Sequence, residues 1–299
     1  MKRMLCLLMA LGLVPIAMAQ EEPQASPARP MLSRVTGPVD VQSLNDSQIL
    51  SRLSEQVGKL LQEKRIAPAA AIAEELKTSR VKLSLPAPNC AGMTAEEIYG
   101  KRAAGVLIVA SLHDKPQLHV HASSGFVLTA TGVAVTNYHV MANPEMIGWV
   151  AMTRSGEVVP VKGVLAASES LDVAIIQLEG KGFTPIALAA RAPVGADVFV
   201  ISHPAGRFWY MSRGMVSRYA TMVRKRDPVD AMQITADYAH GSSGAAILSA
   251  AGEAVGMVSS TSSIYYSDDN KGVQKDLQMV FKNCVTSQQI LSLIERQDP

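Results

Sequence analysis

The sequence predicts an all-β protein of two six-stranded antiparallel β-barrels, with an N-terminal helical extension and a C-terminal helix. From about Ala103 the chain breaks into short β-branched runs, such as Gly105-Val106-Leu107-Ile108-Val109 and Val158-Val159-Pro160-Val161, separated by turn residues. Short strands at such regular intervals point to barrels, and roughly 200 residues suffice for two of six strands each. Helical spacing of apolar residues is confined to the two ends of the chain.

Met1-Lys2-Arg3, an apolar run from Met4 to Ile16 and the exit Ala17-Met18-Ala19 describe a secretory signal peptide over residues 1–19, cleaved after Ala19. The run is shorter than the ~20 residues a bilayer requires, and no other stretch predicts a membrane span. Gln20 is then the first mature residue, Cys6 leaves with the leader, and the mature protein is expected in the periplasm or secreted. Pro23, Pro27, Pro30 and Pro38 make residues 20–43 an extended linker. Asn45, Asp46 and Ser47 offer caps, and Ile49, Leu50, Leu53, Val57, Leu60 and Leu61 recur at helical spacing, so a helix is predicted over 46–64. Pro68 interrupts it, and the alanines that follow predict a second helix over 69–79. This helical extension, residues 44–88, is expected to pack on the domain that follows; oligomer contacts and a propeptide role are the alternatives. Barrel one is expected over about 95–190 and barrel two over about 191–285, and Ile290, Leu291, Leu293 and Ile294 predict a helix over 286–297.

Lys and Arg number 28 against 26 Asp and Glu, a formal net charge of +2. Loss of Lys2 and Arg3 with the leader leaves about zero, so nucleic-acid binding has no global electrostatic support. The basic run Arg213–Arg226 reads as a solvated hairpin. Two cysteines survive processing, Cys90 and Cys284, and bracket the predicted barrels. In an oxidising compartment a disulfide between them is expected, closing a long loop; buried unpaired thiols are the alternative. His119 and His121 alternate onto one strand face as half a metal site that nothing completes, so no metal is expected.

Three short segments carry the chemistry: Thr136-Asn137-Tyr138-His139, Leu171-Asp172-Val173-Ala174 and Gly241-Ser242-Ser243-Gly244. A serine hydroxyl is too weak an acid to attack a carbonyl unaided, so an imidazole must take its proton and later return it. A carboxylate on the far ring nitrogen fixes the useful tautomer and stabilises the imidazolium. His139, Asp172 and Ser243 are the candidates, and the amides of Gly241 and Ser243 are placed to meet an oxyanion, where one lost donor costs ~10²–10³ in rate. An α/β-hydrolase elbow would need glycine two residues after the serine and the order serine, acid, histidine; position 245 is alanine and the order is reversed.

Ser123-Ser124-Gly125-Phe126-Val127 with Gly132-Val133-Ala134-Val135-Thr136-Asn137-Tyr138-His139, and Ser170-Leu171-Asp172-Val173-Ala174-Ile175-Ile176, resemble the histidine and aspartate strands of the trypsin-like (chymotrypsin-fold) serine peptidases. Ser202-His203-Pro204-Ala205-Gly206 resembles the segment opening their second barrel, and Ile234-Thr235-Ala236-Asp237 before Gly241 resembles the approach to their serine. The likeness is strongest to the HtrA-like branch lacking a PDZ domain, and covers roughly residues 95–290 of a peptidase domain expected over 89–299. Ser242, Ala245 and Ala246 depart from the family's Gly-Asn-Ser-Gly-Gly-Pro or Gly-Asp-Ser-Gly-Gly-Pro. Asp237, six residues before Ser243, stands where trypsin-like enzymes place the floor of the first specificity pocket, and there a carboxylate would favour Lys or Arg substrates. His240 is a second pocket candidate, and His203 is expected near the site. The resemblance implies an exported serine endopeptidase acting on polypeptides through an acyl-enzyme, without cofactor, with a homo-oligomer open. The competing readings are a catalytically inactive homologue that binds envelope or misfolded proteins, and an esterase using the same residues.

Overall fold

Helix α1, Asp46–Gln62, opens the fold because Asn45 caps it: the Asn45 side chain accepts from the Gln48 amide at 3.1 Å, and Asp46 and Lys59 sit at the ends the helix dipole favours. Leu53, Val57 and Leu60 form its buried stripe. The computed structural model describes residues 43–88, 91–114, 117–268 and 274–296; the expected leader, residues 20–42 of the expected linker and Cys90 lie outside them. Helix α2, Ala69–Glu75, follows Pro68, and strand β1, Val81–Leu83, ends the extension. Helix α3, Ala95–Arg102, is held by a reciprocal Thr94–Glu97 capping box.

The first barrel closes in the order β2-β3-β4-β7-β6-β5. Its strands are β2 (Val106–His113), β3 (His119–Val127), β4 (Val133–Thr136), β5 (Gly148–Met152), β6 (Val158–Ser168) and β7 (Val173–Leu178), with the short helix α4, Tyr138–Met141, after β4. The second closes in the order β10-β13-β12-β11-β8-β9. It comprises β8 (Asp197–Ser202), β9 (Tyr210–Arg224), β10 (Asp227–Ile234), β11 (Ala246–Leu248), β12 (Ala254–Asp268) and β13 (Gln274–Thr286). Two six-stranded antiparallel barrels are thus the architecture the strand spacing predicted.

Both faces of β2 are covered, which is why it reads as a continuous apolar run rather than an alternating one. Val106, Ile108, Ala110 and Leu112 join one apolar cluster and Leu107 and Val109 another. The former cluster also holds Leu53, Val57 and Leu60 of α1 and Phe199, Leu248 and Met257 of the second barrel, so α1 is part of the core that joins the barrels. Helix α2 is fixed at its end, where Glu75 accepts from the Val164 amide at 2.7 Å beside a bulge in β6.

The tail departs from expectation. A Thr286–Gln289 capping box starts helix α5, but it spans only Ser287–Leu291. Beyond it Ile294–Arg296 is strand β14, paired in parallel with β1. The backbone groups of residues 294–296 find partners in Val81–Leu83, and that long-range pairing ends the helix where apolar spacing alone would extend it.

Candidate active site

His139 stands on α4, a single turn pinned by the Trp149 indole donating to the Val140 carbonyl at 2.9 Å and by Asn137 Nδ2 donating to the Asp172 carbonyl at 3.0 Å. Asp172 lies in the turn between β6 and β7, in a left-handed conformation (φ 58°) that aspartate tolerates better than most residues. Its Oδ1 and Oδ2 lie 2.9 and 3.1 Å from His139 Nδ1, and Oδ1 also accepts the His139 amide at 3.2 Å. A carboxylate can only accept here, so Nδ1 carries the proton and Nε2 presents its lone pair. Burial alone would raise the Asp172 carboxyl; the hydrogen bond and charge of His139, with the Ser259 hydroxyl and the His139 amide, outweigh it and hold the group below the usual carboxylate range. The ring remains half-exposed while the carboxylate is nearly covered, with 51% against 12% of the side chain accessible.

The serine loop is clamped against the first barrel. Ser124, buried in β3, donates its amide to the Ser243 carbonyl at 2.8 Å and its hydroxyl to the Gly241 carbonyl at 2.9 Å. The Gly244 amide donates to the Val258 carbonyl at 3.1 Å, and Ser242 Oγ meets Ser202 Oγ at 3.0 Å. Gly241 has a φ of 92°, with the His203 carbonyl 2.5 Å from where a Cβ would sit, so both dihedral and space demand glycine. Among the described residues, neither the Gly241 nor the Ser243 N–H has a hydrogen-bond acceptor. Ser243 Oγ donates to the Ser259 carbonyl at 3.5 Å, a long and weak contact.

Two residues bound to this cluster escaped the sequence reading. Ser259, at a bulge in β12, donates its hydroxyl to Asp172 Oδ2 at 2.6 Å. Arg224, the last residue of β9, donates from Nη2 to Ser259 Oγ at 3.0 Å and holds Nη1 3.7 Å from Asp172 Oδ2. The hairpin read as solvated therefore docks at its tip on the first barrel, where Lys225 also pairs with Glu169 at 2.8 Å. No local motif marks either residue; barrel closure brings them to Asp172.

Asp237 does not line a pocket floor. Its side chain is 86% exposed and pairs with Lys282 at 3.5 Å, because Tyr238 is the residue turned inward, its hydroxyl bonded to the Ser260 and Asn283 carbonyls. His240 is exposed and borders, with Gly241, His121, Asp46 and Leu50, a cleft of about 380 Å³. A second cleft of about 500 Å³ is bordered by His139, Asp172, Arg224, Ser259 and Ser260. His203 is wholly buried; its Nδ1 accepts from the Trp209 amide at 3.1 Å, and burial pushes the ring down to about 3, against a smaller upward pull from the Leu107 backbone. Cys284 is a buried free thiol, so the structure has no bond from it to Cys90. No group of three His, Cys, Asp or Glu that could hold a metal occurs among the described residues.

The trypsin-like peptidase domain family matches residues 123–257, which include all three chemistry-bearing segments up to Ser243. The serine endoprotease DegS of Haemophilus influenzae is 29% identical over 155 residues, 50% of this chain and 44% of that protein. The human serine protease HTRA4 is 26% identical over 153 residues, 49% of this chain and 32% of that protein. The chain thus spans less than half the length of either relative. The HtrA-type protease AlgW, solved with a decapeptide, superimposes with a TM-score of 0.54 at 17% identity, over 67% of this chain and 66% of that one, a likeness of fold.

Proposed function

We propose that this chain, whose residues 123–257 match the trypsin-like peptidase domain family and whose relatives include HtrA-type serine proteases, is an exported serine endopeptidase that cleaves polypeptides through an acyl-enzyme at Ser243. The observation that carries the reading is the His139–Asp172 pair, with a covered carboxylate on Nδ1 and a half-exposed ring whose Nε2 is left free to accept. In this mechanism Ser243 Oγ gives up its 3.5 Å contact with the Ser259 carbonyl and passes its proton to Nε2 as it attacks the scissile carbonyl. The carbonyl oxygen takes the electron pair and is met by the Gly241 and Ser243 amides, which no acceptor among the described residues occupies. The imidazolium, steadied by Asp172, returns the proton to the departing amine. Water then repeats the sequence on the acyl-enzyme with His139 again as base, releasing the carboxylic acid and restoring Ser243.

An extended substrate is favoured over a small ester by the two clefts, one bordered by Ser259 and Ser260 and the other by Gly241 and His240. Export rests on the leader read in residues 1–19 and on relatives such as the probable periplasmic endoprotease of Ectopseudomonas mendocina. No helix among the described residues is long and apolar enough to cross a membrane.

The test is treatment with a fluorophosphonate and peptide mass mapping of the adduct, with Ser243→Ala as control. Labelling at Ser243 alone, absent in the variant, is expected. A correctly folded chain that is not labelled overturns the reading in favour of a homologue that binds polypeptides without cleaving them.

A further inference from the structure

Resting on that reading of Ser243, His139 and Asp172, we infer that Arg224 is a positioning residue for the reaction, reaching from the second barrel to orient the Ser259 hydroxyl and the Asp172 carboxylate behind His139.

A serine hydroxyl has one proton to give and two lone pairs, and a guanidinium has donors only. With Arg224 Nη2 donating to Ser259 Oγ at 3.0 Å, the single Ser259 proton is free to be spent on Asp172 Oδ2, 2.6 Å away. The donor chain runs one way, from Arg224 through Ser259 to Asp172, and leaves Oδ1 to the His139 ring and amide. Such charge-assisted bonds are shorter and about twice as strong as neutral ones, and bonds in series polarise one another. Only 20% of the Arg224 side chain is accessible, so water screens it less than a surface arginine.

The hairpin is built to bring Arg224 there. Strands β9 and β10 are joined by the two residues Lys225 and Arg226, with φ of 50° and 75°, while Arg224 pairs with Asp227. Two positive φ angles describe a type I′ turn, which favours Asn-Gly and costs side-chain-bearing residues about 1–2 kcal/mol each. The strained turn is retained where its tip is anchored: Lys225 pairs with Glu169, three residues before Asp172. Backbone strain held in place by surrounding contacts clusters at functional sites.

The charged and titratable groups facing His139 are Asp172 and Glu169 from the β6–β7 turn, Arg224 and Lys225 from the hairpin, and Tyr138 beside it on α4. Removing the Arg224 cation takes one positive charge out of this set of groups, and a pH profile is the readout that registers it.

The experiment measures fluorophosphonate labelling of Ser243 in the full chain, with kcat and KM on a peptide substrate, from about pH 5 to 9. Arg224→Met is expected to slow labelling by about tenfold or more, lower kcat with KM little changed, and move the acidic limb to higher pH. Arg224→Lys, which keeps the charge and one donor, is expected to recover part of the rate and leave the limb in place. If Arg224→Met fails to fold, Arg224→Gln, which keeps a donor without the charge, carries the test and should also move the limb. Labelling of the unsubstituted chain with Arg224→Met within about threefold of it at every pH overturns the inference alone. So does a loss confined to KM on acidic substrates, or an equal loss in both variants with no movement of the limb. Absence of labelling in the unsubstituted chain overturns the catalytic reading itself.

Discussion

Gly244→Ala tests how tightly the serine loop depends on the first barrel. A Cβ on Gly244 would lie 2.0 Å from the Ser124 carbonyl oxygen and 2.5 Å from Thr136 Oγ1. Neither neighbour can yield cheaply, because Thr136 Oγ1 already donates to that carbonyl at 2.8 Å and both residues are fully buried. Relieving contacts this far inside van der Waals separation requires the loop to retreat by about 1 Å or more. The retreat breaks the Ser124–Ser243 and Gly244–Val258 hydrogen bonds and displaces the nucleophile. A 1 Å misplacement costs about 10²-fold in rate, and an alanine at φ 89° adds about 1–2 kcal/mol of backbone strain. Gly195→Ala separates the two effects: its φ is 87°, yet nothing lies within 4 Å of the added Cβ. The assay is the second-order rate of fluorophosphonate labelling beside a thermal melt. Gly244→Ala is expected to label about a hundredfold more slowly, and Gly195→Ala to melt lower while labelling normally. Labelling of Gly244→Ala within about threefold of the unsubstituted rate, or an equal slowing of Gly195→Ala, would refute the reasoning.

Acid should destabilise the fold through His203. The folded ring protonates only near about 3, whereas an unfolded one does so near 6.5, so the unfolded state binds more protons in between and stability falls as pH drops below about 6.5. At pH 5 that is about 2 kcal/mol. His203→Asn, which retains an acceptor for the Trp209 amide, should flatten the pH dependence of the melting temperature; an unchanged slope would exclude His203 as its source. Burial raises the Cys284 thiol to about 12, so at pH 8 only about one part in 10⁴ is thiolate. Iodoacetamide should modify Cys284 only on unfolding, and rapid modification of the native protein would show that the site opens.

Signals within a few residues of one another were legible in the sequence. The Asn45 cap, the apolar stripe of α1 and the β-branched runs each act locally, and each predicts its element. The segments holding His139 and Asp172 are likewise local, and the structure brings those two side chains together. What escaped depends on closure. Ser259 and Arg224 reach Asp172 across 87 and 52 positions of sequence, through a bulge and a hairpin tip that no spacing rule describes. The last helix was over-extended for the same reason, since its end is decided by β1, some 200 residues earlier. Asp237 was misplaced by one step of side-chain alternation, which turned Tyr238 inward and left the carboxylate with Lys282.

The parallel pairing of β1 with β14 has a mechanical consequence. Traction toward the amino end of β1 and the carboxyl end of β14 slides the two strands along each other, loading their hydrogen bonds together in shear. A hairpin such as β9–β10, drawn apart from its open end, unzips one bond at a time. Once α1 and α2 have been peeled away, this short clasp becomes the element that resists extension, and a single-molecule pull through the two ends should register its rupture before either barrel lengthens.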